Sequence, residues 1–520
     1  MNDVVIAGAG PNGLMLANEL GLAGVRPVVL EPLAGPNPQR RANGIIGQAV
    51  RLLDHRGLYG VLAGTPDPPQ PSPWAMFAAM VLDLTRVPDS QHYMFPVQQP
   101  RLVQTLAERV RDNGADLRWG HRLVGFDQDT DRVVVHVDGP DGRYELRATY
   151  LVGADGGSSQ TRKLAGVDFP GMTSHDAVAR MAFGVLPPDE WVDPVTGALE
   201  IPGWGSVPPT PFHRAERGVF ACRQFAGRSM LITLELDRSA QEDRIDDDED
   251  ETPVSLAEIE ASVKRVLGAD VPLRPASPDA PLDLRRFYGI NSRIASRYRS
   301  DRVFLVGDAA HVHSPLGGPG LNLGLQDAVN LGWKLAAVVS GGADPALLDT
   351  YESERRPAAE RVVMHSRAQL ALVRPGTEVT ALRDLFSELL EDSDNARRLS
   401  DLLSGNDNRY AVGADSHPLA GLWVPDFAIG YGGAARRVAE LARTGRPLLI
   451  DLTEDAVVAD ATSDVAERIT VAVGRPVDEV SATALLVRPD GYVAWASSAP
   501  KPEVDELRLV LREWFGIDAG

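Results

Sequence analysis

Glycine and acidic residues near the N-terminus have the types and the spacing that hold a dinucleotide. An apolar run, Val4 to Ala7, is followed by Gly8-Ala9-Gly10-Pro11-Asn12-Gly13 and then by a helical pattern through Leu22. In G-x-G-x-x-G spacing the first glycine permits a tight turn, the second lets a pyrophosphate approach, and the third lets helix and strand pack closely. The next apolar run, Val25 to Leu30, ends in Glu31, whose carboxylate can accept hydrogen bonds from ribose hydroxyls and would repel a 2′-phosphate. The pattern therefore predicts bound FAD or NAD and not NADP.

Two aspartates paired with glycine follow later in the chain. One apolar run ends in Asp155-Gly156 and another in Gly307-Asp308. The second continues into a glycine-rich loop, residues 315–322, which we expect to lead into a helix beginning near Leu323. The chain thus repeats the order of strand, glycine and carboxylate at distant positions.

The second of these segments has the groups that a flavin requires. Asp308 can accept hydrogen bonds from the ribityl hydroxyls, and the backbone amides around Gly320 open a helix whose positive end can face the pyrimidine edge of the ring. Such donors stabilise negative charge on a reduced flavin. Pro315 would rigidify the loop beside the ring, whereas His311 and His313 are interpreted as packing or hydrogen-bonding residues of the turn.

The three segments resemble those of the group A flavoprotein hydroxylases, in which they occur in the same order. The resemblance implies FAD as the cofactor, NADPH as its reductant and O2 as the oxidant. In that family O2 adds to the flavin C4a atom, and the hydroperoxide transfers one oxygen atom to an electron-rich ring. The positions that the resemblance assigns to cofactor binding are Gly8, Gly10, Pro11, Asn12, Gly13, Glu31, Arg41, Gln99, Leu123, Asp155, Asp308, Pro315, Gly318, Gly320, Leu321 and Asn322.

Two positions depart from the family pattern. Pro319 stands where members commonly carry Gln, and Gln48 where many carry Arg. These changes bear on the NADPH reaction and on the position of the substrate, not on fold or cofactor. No residue identifies itself as a catalytic base, and the catalytic candidates are the flavin loop at Pro315 and Gly320, together with Arg51.

The order of elements predicts an α/β fold. We expect a Rossmann-like FAD-binding domain of the p-hydroxybenzoate hydroxylase type, formed by residues 1–170 and 280–400. A mixed-sheet substrate domain, residues 171–279 with a contribution from 70–97, is interleaved with it. A C-terminal thioredoxin-like domain occupies residues 410–520.

The expected substrate domain combines strand patterns with aromatic side chains. Apolar residues alternate along 229–236, a pattern that predicts a strand with one buried face. The chain looks closest to bacterial oxygenases that tailor aromatic polyketides of the angucycline, anthracycline and aureolic-acid types, so the resemblance implies a small polycyclic aromatic substrate. The candidates for substrate binding are Trp74, Phe77, Tyr93, Phe95, Trp204, Phe212 and Phe225.

The C-terminal region resembles the thioredoxin-like appendage of the larger aromatic hydroxylases. Its last helix has Val504, Leu507, Leu511 and Trp514 at helical spacing, so we expect one face to pack on a sheet. Cys222 is the only cysteine, and the appendage therefore has no Cys-x-x-Cys for dithiol chemistry. We expect it to have a structural or dimer-supporting role, with a homodimer as the assembly.

Composition excludes several other classes of function. The formal charge of -20 and the pI near 5.0 argue against nucleic acid or an anionic membrane as a partner. The acidic run at 242–251 is interpreted as a solvated surface loop. A single cysteine excludes a thiolate metal cluster, and we expect no metal. The start of the chain lacks the basic stretch of a signal sequence, which favours the cytoplasm.

Two alternatives remain open at this stage. The same architecture can perform Baeyer–Villiger oxygenation of a polyketide ketone, in which case the product is a lactone and not a phenol or quinone. The other alternative is a flavoprotein that binds a ligand or partner without oxygenating it. NADPH oxidation by such a protein would not respond to any aromatic ligand.

Overall fold

The computed structural model describes residues 2–37, 44–210, 212–225, 228–236, 253–277, 282–412, 417–431 and 434–518. The α-helices of these residues, in chain order, are α1 (Pro11–Leu22), α2 (Gln48–His55), α3 (Leu58–Ala63), α4 (Gln99–Asp112), α5 (Gln160–Leu164), α6 (Leu256–Leu267), α7 (Pro319–Val339), α8 (Thr350–Leu372), α9 (Thr377–Leu389), α10 (Ser393–Ser404), α11 (Val438–Leu441), α12 (Val457–Asp460) and α13 (Val504–Phe515).

The first strands in chain order are β1 (Asn2–Ala7), β2 (Val28–Glu31), β3 (Ile45–Ile46), β4 (Trp74–Phe77), β5 (Met80–Asp83), β6 (Met94–Phe95), β7 (Asp116–Trp119), β8 (Arg122–Gln128), β9 (Val133–Gly139), β10 (Gly142–Gly153), β11 (Gly171–Phe183), β12 (Val185–Leu186), β13 (Leu199–Ile201), β14 (Gly205–Val207) and β15 (His213–Ala215). The remaining strands are β16 (Gly218–Phe225), β17 (Arg228–Leu236), β18 (Arg274–Pro275), β19 (Asp283–Ile294), β20 (Arg299–Ser300), β21 (Val303–Leu305), β22 (His311–Val312), β23 (Ala428–Tyr431), β24 (Ala434–Arg437), β25 (Leu448–Asp451), β26 (Thr470–Val473), β27 (Arg475–Pro476), β28 (Ala484–Val487) and β29 (Val493–Ser497).

A parallel sheet carries the three carboxylate motifs at one edge. Strands β21, β10, β1, β2 and β7 lie side by side in that order and run in the same direction. The carboxyl ends of parallel strands meet at the same edge, where ligands of such folds bind. The chain therefore brings Gly8, Glu31, Asp155 and Asp308 to this edge from four different strands.

The second strand of this sheet begins later than the sequence pattern suggests. Val25 was expected to open the strand, but its N–H donates to the carbonyl of Leu20 and closes the end of α1 at 2.9 Å. The strand starts at Val28, which pairs with Val5 of β1. The first apolar residue of the run thus packs under the helix end.

Helices α1 and α7 pack together on one face of the parallel sheet. Gly332 of α7 allows this approach, since a Cβ built there would lie 2.5 Å from the Cβ of Glu19. The core below them includes Leu16, Leu20 and Leu331, all buried. The helix that leads away from the flavin loop is therefore fixed against the helix that follows the first glycine turn.

The second sheet is antiparallel and has the order β15-β16-β17-β11-β19-β22. Its last two strands lie beyond residue 279, where we had placed the end of the substrate domain, because β19 pairs along most of β11. Strand β22 belongs to the Gly-Asp segment, with Val312 opposite Arg293. The second sheet is thus joined directly to the Gly307-Asp308 segment. The limits of the domains stay a prediction.

Both faces of this second sheet are covered, not one as the alternation in 229–236 predicts. Leu234 faces the flavin loop, while Leu231 packs beneath α6 against Ile259. The polar side chains that we expected to face solvent form hydrogen bonds within the protein. Thr233 Oγ1 lies 2.6 Å from Ser262 Oγ, and Glu235 accepts from Arg180 Nη1 at 2.5 Å.

The C-terminal region contains a mixed sheet of order β26-β25-β28-β29, in which β25 and β26 are parallel. Helix α13 packs on it through Leu507, Leu511 and Phe515, which share a core with Trp333 of α7. The predicted packing of the last helix is therefore confirmed. The C-terminal sheet contacts α7, here called the flavin helix, through this core.

Within the residues that the structure describes, no helix is long and apolar enough to cross a lipid bilayer.

Candidate functional site

The first glycine turn leaves open space where a pyrophosphate would lie. Gly8 has φ +110°, and a Cβ there would lie 2.4 Å from the carbonyl oxygen of Ala154, so only glycine fits. A Cβ added at Gly10 would meet nothing within 4 Å. Gly10 is the N-cap of α1 and no side chain caps the helix, so the first N–H groups remain for an anion. This geometry fits the diphosphate of FAD.

Glu31 is oriented by two backbone amides. Its Oε2 accepts from Ala9 N at 2.9 Å and its Oε1 from Leu33 N at 3.1 Å. The half-buried carboxylate therefore fixes the glycine turn and lies next to it. Its predicted contact with the ribose hydroxyls stays a prediction.

Asn12 connects the two ends of the site, a role that the sequence pattern did not reveal. Its amide lies between two backbone segments: a Cβ at Gly307 would lie 2.0 Å from Asn12 Nδ2, and one at Gly324 would lie 2.3 Å from it. The Oδ1 of Asn12 is buried without a hydrogen-bond partner. An unpaired buried acceptor at the cofactor edge fits a hydrogen-bond donor on the bound group.

The carboxylates of Asp155 and Asp308 differ in whether they already accept hydrogen bonds from the protein. The carboxylate of Asp155 accepts from Thr161 N and Thr161 Oγ1, both at 2.9 Å, and from the hydroxyl of Ser159. It therefore already holds the start of α5. Asp308 is exposed just after β21, and its side chain makes no hydrogen bond with the residues that the structure describes. Of the two, Asp308 is the carboxylate left free to accept hydrogen bonds, and its predicted contact with the ribityl hydroxyls stays a prediction.

Arg162 links these two motifs, and only its position shortly after Asp155 could have indicated this contact. Its Nη1 donates to the carbonyl of Ala309 and its Nη2 to the carbonyl of Gly157, each at 2.9 Å. The guanidinium also lies 3.8 Å from the ring centroid of Phe169. This side chain keeps the Asp-Gly and Gly-Asp turns at a fixed separation.

The flavin loop enters its helix earlier than expected. Helix α7 begins at Pro319 and not near Leu323, because Gly318 takes φ +66° as N-cap and proline suits the first helical position. Pro315 and Gly318 are exposed. No side chain caps the helix, so the amides of its first turn, at Gly320 and Leu321, can donate to a ligand.

Asn322 fixes the flavin loop through its side chain. Its Oδ1 accepts from Ile46 N at 2.8 Å, and its Nδ2 donates to the carbonyl of Gly318 at 2.8 Å. The loop is thereby held to the short strand β3. The prediction that this residue belongs to the cofactor site stays a prediction, although the structure brings it to the N-terminus of α7.

His311 is a buried structural group of the Gly-Asp turn. Its Nε2 lies 2.6 Å from Asp327 Oδ2, and Arg355 Nε donates to the other oxygen of that carboxylate at 2.7 Å. Burial opposes ionisation of Asp327, but His311 and Arg355 hold its pKa below the ordinary value. Burial lowers the pKa of His313, whose Nδ1 lies 3.0 Å from the carbonyl oxygen of Ser314. Asp327 also accepts from Gly307 N at 3.3 Å, so this network supports the turn.

Two of the seven substrate candidates lie beside the flavin loop. Phe77 is buried in an apolar cluster, here called the flavin-side cluster, that includes Ala177, Leu234 and Leu316, and Phe212 packs against it. Leu316 belongs to the flavin loop, so this cluster joins the loop to the second sheet.

For the other five substrate candidates, the structure shows no contact with the flavin-side cluster among the described residues. Tyr93 and Phe95 are buried in the main core, with Phe95 4.9 Å from the ring of Tyr59. Trp204 donates to the carbonyl of Leu267 at the end of α6, on the far side of the sheet. Trp74 is half-buried at the start of β4. Phe225 ends β16, and its side chain lies outside the described residues.

Four other predicted positions remain, of which the structure describes three. Arg51 donates to the carbonyl of Val424 at 2.6 Å and lies 5.6 Å from the ring of Trp423, so it contacts the C-terminal region and not the flavin loop. Leu123 is buried within the parallel sheet's core. Gln99 is half-buried at the start of α4, and Arg41 lies outside the described residues.

Gln48, where the family pattern has arginine, is fully buried at the start of α2. Its Oε1 accepts from the hydroxyl of Tyr492 at 3.1 Å. The side chain therefore serves the contact between α2 and the C-terminal domain.

Two family models match the chain, and together they span most of it. The model described as FAD binding domain matches residues 1–366, and the one described as aromatic-ring hydroxylase, C-terminal, matches residues 417–517. The chain therefore belongs to the family of FAD-binding aromatic-ring hydroxylases, and FAD is its cofactor. No residue role is assigned by these matches, so the individual contacts above stay predictions.

Its relatives make the class more specific. The chain is 40% identical to the 12-dehydrotetracycline 5-monooxygenase/anhydrotetracycline 6-monooxygenase of Streptomyces rimosus over 531 residues, with 99% of each chain covered. It is 38% identical to the rifampicin monooxygenase of Rhodococcus hoagii, covering 100% of this chain and 99% of the relative. The solved anhydrotetracycline hydroxylase from Streptomyces rimosus superposes with a TM-score of 0.84 at 38% identity, over 99% of both chains.

These similarities confirm the predicted fold class, the FAD cofactor and membership among the FAD-dependent monooxygenases, a group that uses NAD(P)H and O2. They do not favour the Baeyer–Villiger alternative.

Proposed function

We propose that the chain is an NADPH-consuming monooxygenase that hydroxylates a polycyclic aromatic polyketide. The observation that carries the proposal is the flavin-side cluster, in which Leu316 of the flavin loop meets Leu234 and Ala177 of the second sheet. Apolar side chains directly beside the cofactor's loop, with the partly buried Ala179 and Phe212 at the border of the cluster, suit a large planar ligand that needs little hydrogen bonding. The relatives named for anhydrotetracycline and rifampicin support the same class of substrate.

The face of the second sheet that carries the flavin-side cluster continues beyond that cluster. Ala179 packs against the cluster, and side chains two residues apart on a strand share a face, so Met181 lies on the same side. Met181 is paired with Ile232, and both are half-buried. We infer that these two side chains, together with Phe212, contact the substrate rings.

The chain's own contribution is placement and charge stabilisation. FAD supplies the redox chemistry, because when bound it accepts a hydride from NADPH and activates O2 for transfer of one oxygen atom. Asp308 would hold the ribityl hydroxyls, and the free amides of Gly320 and Leu321 would donate to the flavin ring and stabilise negative charge on it. The apolar cluster excludes water from the ring's substrate side.

The hydroxyl that directs ring oxygenation belongs to the substrate. His311 is bound to Asp327 within the turn and is fully buried, so it is not positioned as a base toward the second sheet. A phenol on the substrate supplies the electron-rich carbon that hydroxylation needs.

The proposal is tested by reducing the FAD-loaded protein anaerobically with NADPH or NADH, with and without anhydrotetracycline, rifampicin or aklavinone, and then admitting ¹⁸O2. We expect one ¹⁸O atom in a phenolic product and faster reduction by NADPH in the presence of that ligand. A lactone product would show Baeyer–Villiger oxygenation instead. Flavin reduction that no ligand accelerates, with no ¹⁸O in any ligand, would contradict the proposal.

A further inference from the structure

The tip of the β4–β5 hairpin has a backbone conformation that L-amino acids rarely adopt. Phe77 pairs with Met80, so Ala78 and Ala79 form a two-residue turn. Both have positive φ, 52° and 60°. Such turns favour glycine or asparagine at these positions, because a Cβ is strained there. Two alanines therefore persist only where neighbouring groups hold the backbone in place.

Side chains from two helices hold both polar groups of Ala78. Its N–H donates to Gln369 Oε1 of α8 at 3.1 Å, and its carbonyl accepts from Arg383 Nη1 of α9 at 2.6 Å. The same nitrogen of Arg383 donates to the carbonyl of Leu372 at 3.0 Å, which fixes the guanidinium to the end of α8. The strained tip is thus tethered on both sides.

Gln369 also lies against the flavin loop. Gly317 has φ +81°, and a Cβ built there would lie 3.1 Å from Gln369 Nε2 and 3.2 Å from Gln369 Oε1. The Gln369 side chain is buried, with 2% of the residue exposed. Leu316, which precedes Gly317 in the flavin loop, lies in the flavin-side cluster together with Phe77. One buried amide group therefore separates the hairpin tip from the flavin loop.

We propose that Gln369 is a positioning residue that holds the Ala78-Ala79 tip against the flavin loop, so that the hairpin closes the substrate site at Phe77. This inference rests on the proposed function, since it places the hairpin at that function's substrate. A loosened tip admits water and lets the substrate shift away from the ring. NADPH and O2 are then converted to NADP⁺ and H2O2, with a proton from solvent, and no oxygen reaches the substrate.

The test uses three full-length variants. Gln369→Met keeps the size of the side chain and removes the hydrogen bond to Ala78. Gln369→Glu keeps an acceptor for that N–H and can pair with His365, whose Nδ1 lies 3.4 Å from Gln369 Nε2. Gln104→Met is the matched control, because Gln104 is exposed on α4 and donates only to Glu108 Oε1, at 3.1 Å.

The first readout is amide hydrogen exchange of the segment 74–84, measured with and without FAD. We expect exchange at least tenfold faster in Gln369→Met, and rates close to those of the natural chain in Gln369→Glu and Gln104→Met. Exchange elsewhere and the urea midpoint should change little, which separates a local tether from general destabilisation. If Gln369→Met fails to fold, Arg383→Met removes the other tether and should give the same local increase.

The second readout is the fraction of NADPH oxidation recovered as oxygenated anhydrotetracycline. We expect this fraction to fall at least threefold in Gln369→Met, with H2O2 accounting for the remainder and with KM rising more than kcat falls. Equal exchange at 74–84 in Gln369→Met, Arg383→Met and the natural chain would overturn the inference. That measurement needs no substrate, so it decides the tether separately from the proposed function, whose failure would appear as absence of ¹⁸O in every ligand with the natural chain.

Discussion

Glu354 and Arg488 form a two-point ion pair inside the protein, with Nη1–Oε1 and Nη2–Oε2 distances that are both 2.7 Å. Lys334 Nζ donates to Glu354 at 2.7 Å, and Arg488 also donates to Asp490 Oδ2 at 2.6 Å. Burial opposes ionisation of Glu354, yet Arg488 and Lys334 hold its pKa well below the ordinary value. The network joins α7 and α8 to the turn between β28 and β29, so the C-terminal domain is docked onto the flavin helix by paired charges.

Removing one charge from this network should destabilise the whole protein. Arg488→Met leaves Glu354 and Asp490 with only Lys334 as a cation, and an uncompensated buried charge costs about 3–5 kcal/mol. Urea unfolding should show that loss, whereas Arg512→Met, at an exposed position of α13, should change the free energy by less than about 0.5 kcal/mol. Equal stability of the two variants would mean that the network contributes little to docking.

Asp308→Ala should weaken FAD binding without unfolding the chain. Among the described residues the exposed carboxylate accepts no hydrogen bond, so its loss removes the predicted acceptor for the ribityl hydroxyls. A lost charged hydrogen bond corresponds to about 1–3 kcal/mol, or roughly a 5- to 150-fold higher dissociation constant. Titration of apoprotein with FAD by fluorescence quenching measures this, with Asp141→Ala in an exposed turn as control. An unchanged dissociation constant would refute the role of Asp308.

The first two glycines of the N-terminal turn should respond differently to a bulky side chain. Gly10→Val places its Cβ in open space, so apoprotein stability should change by no more than about 1 kcal/mol while the valine blocks the diphosphate. We expect the flavin absorbance per mole of protein to fall at least tenfold. Gly8→Val should lower both stability and FAD content, because its Cβ would lie 2.4 Å from the carbonyl oxygen of Ala154. Full FAD occupancy in Gly10→Val would show that the diphosphate lies elsewhere.

The stability of the protein should fall in acid partly through His92. Burial lowers the pKa of His92 from 6.5 to about 4. The unfolded chain therefore binds a proton below pH 6.5 that the folded chain does not bind until near pH 4, so stability is lost as the pH falls through this window. The loss amounts to about 3 kcal/mol between pH 7 and pH 4. His92→Gln, whose amide can still bond Ser404 Oγ, should reduce the difference in unfolding free energy between these two pH values by that amount. An identical pH dependence in the variant would contradict the assignment.

Local patterns predicted the parts of the site that depend on neighbours in the chain. Gly8 and Gly10 lie in the turn after β1, Glu31 ends β2, and the order of strand, glycine and aspartate predicted Asp308 at the same edge. The contact of Asn12 with Gly307 and Gly324 could not be predicted, because no short-range pattern records which distant backbone a side chain will touch.

Tertiary packing decided other features against the local pattern. The sequence of the second sheet predicts one buried face, but α6 covers the other and pairs Ser262 with Thr233. Arg51 is a catalytic candidate by its place in the sequence, yet its guanidinium donates to the carbonyl of Val424 in the C-terminal region. Tyr93 and Trp204 are candidates for substrate binding because they are aromatic, but Tyr93 lies in the main core and Trp204 contacts the end of α6. Their contact with a substrate stays a prediction. These outcomes depend on the approach of whole elements, which composition does not encode.

The order of strands in the parallel sheet has a consequence for how the protein is made. Strand β21 pairs with β10, yet the ribosome synthesises Val303 only after every residue of β11 and of β19 has been added. The N-terminal half thus emerges with one edge of its central sheet unpaired and with α1 lacking its partner α7. Because the loop predicted to contact the flavin follows β21, a nascent chain cannot complete the predicted cofactor site until translation has passed Asn322. We therefore expect expression conditions that slow aggregation of incomplete chains, such as lower temperature or added chaperone, to raise the yield of yellow protein more than added flavin does.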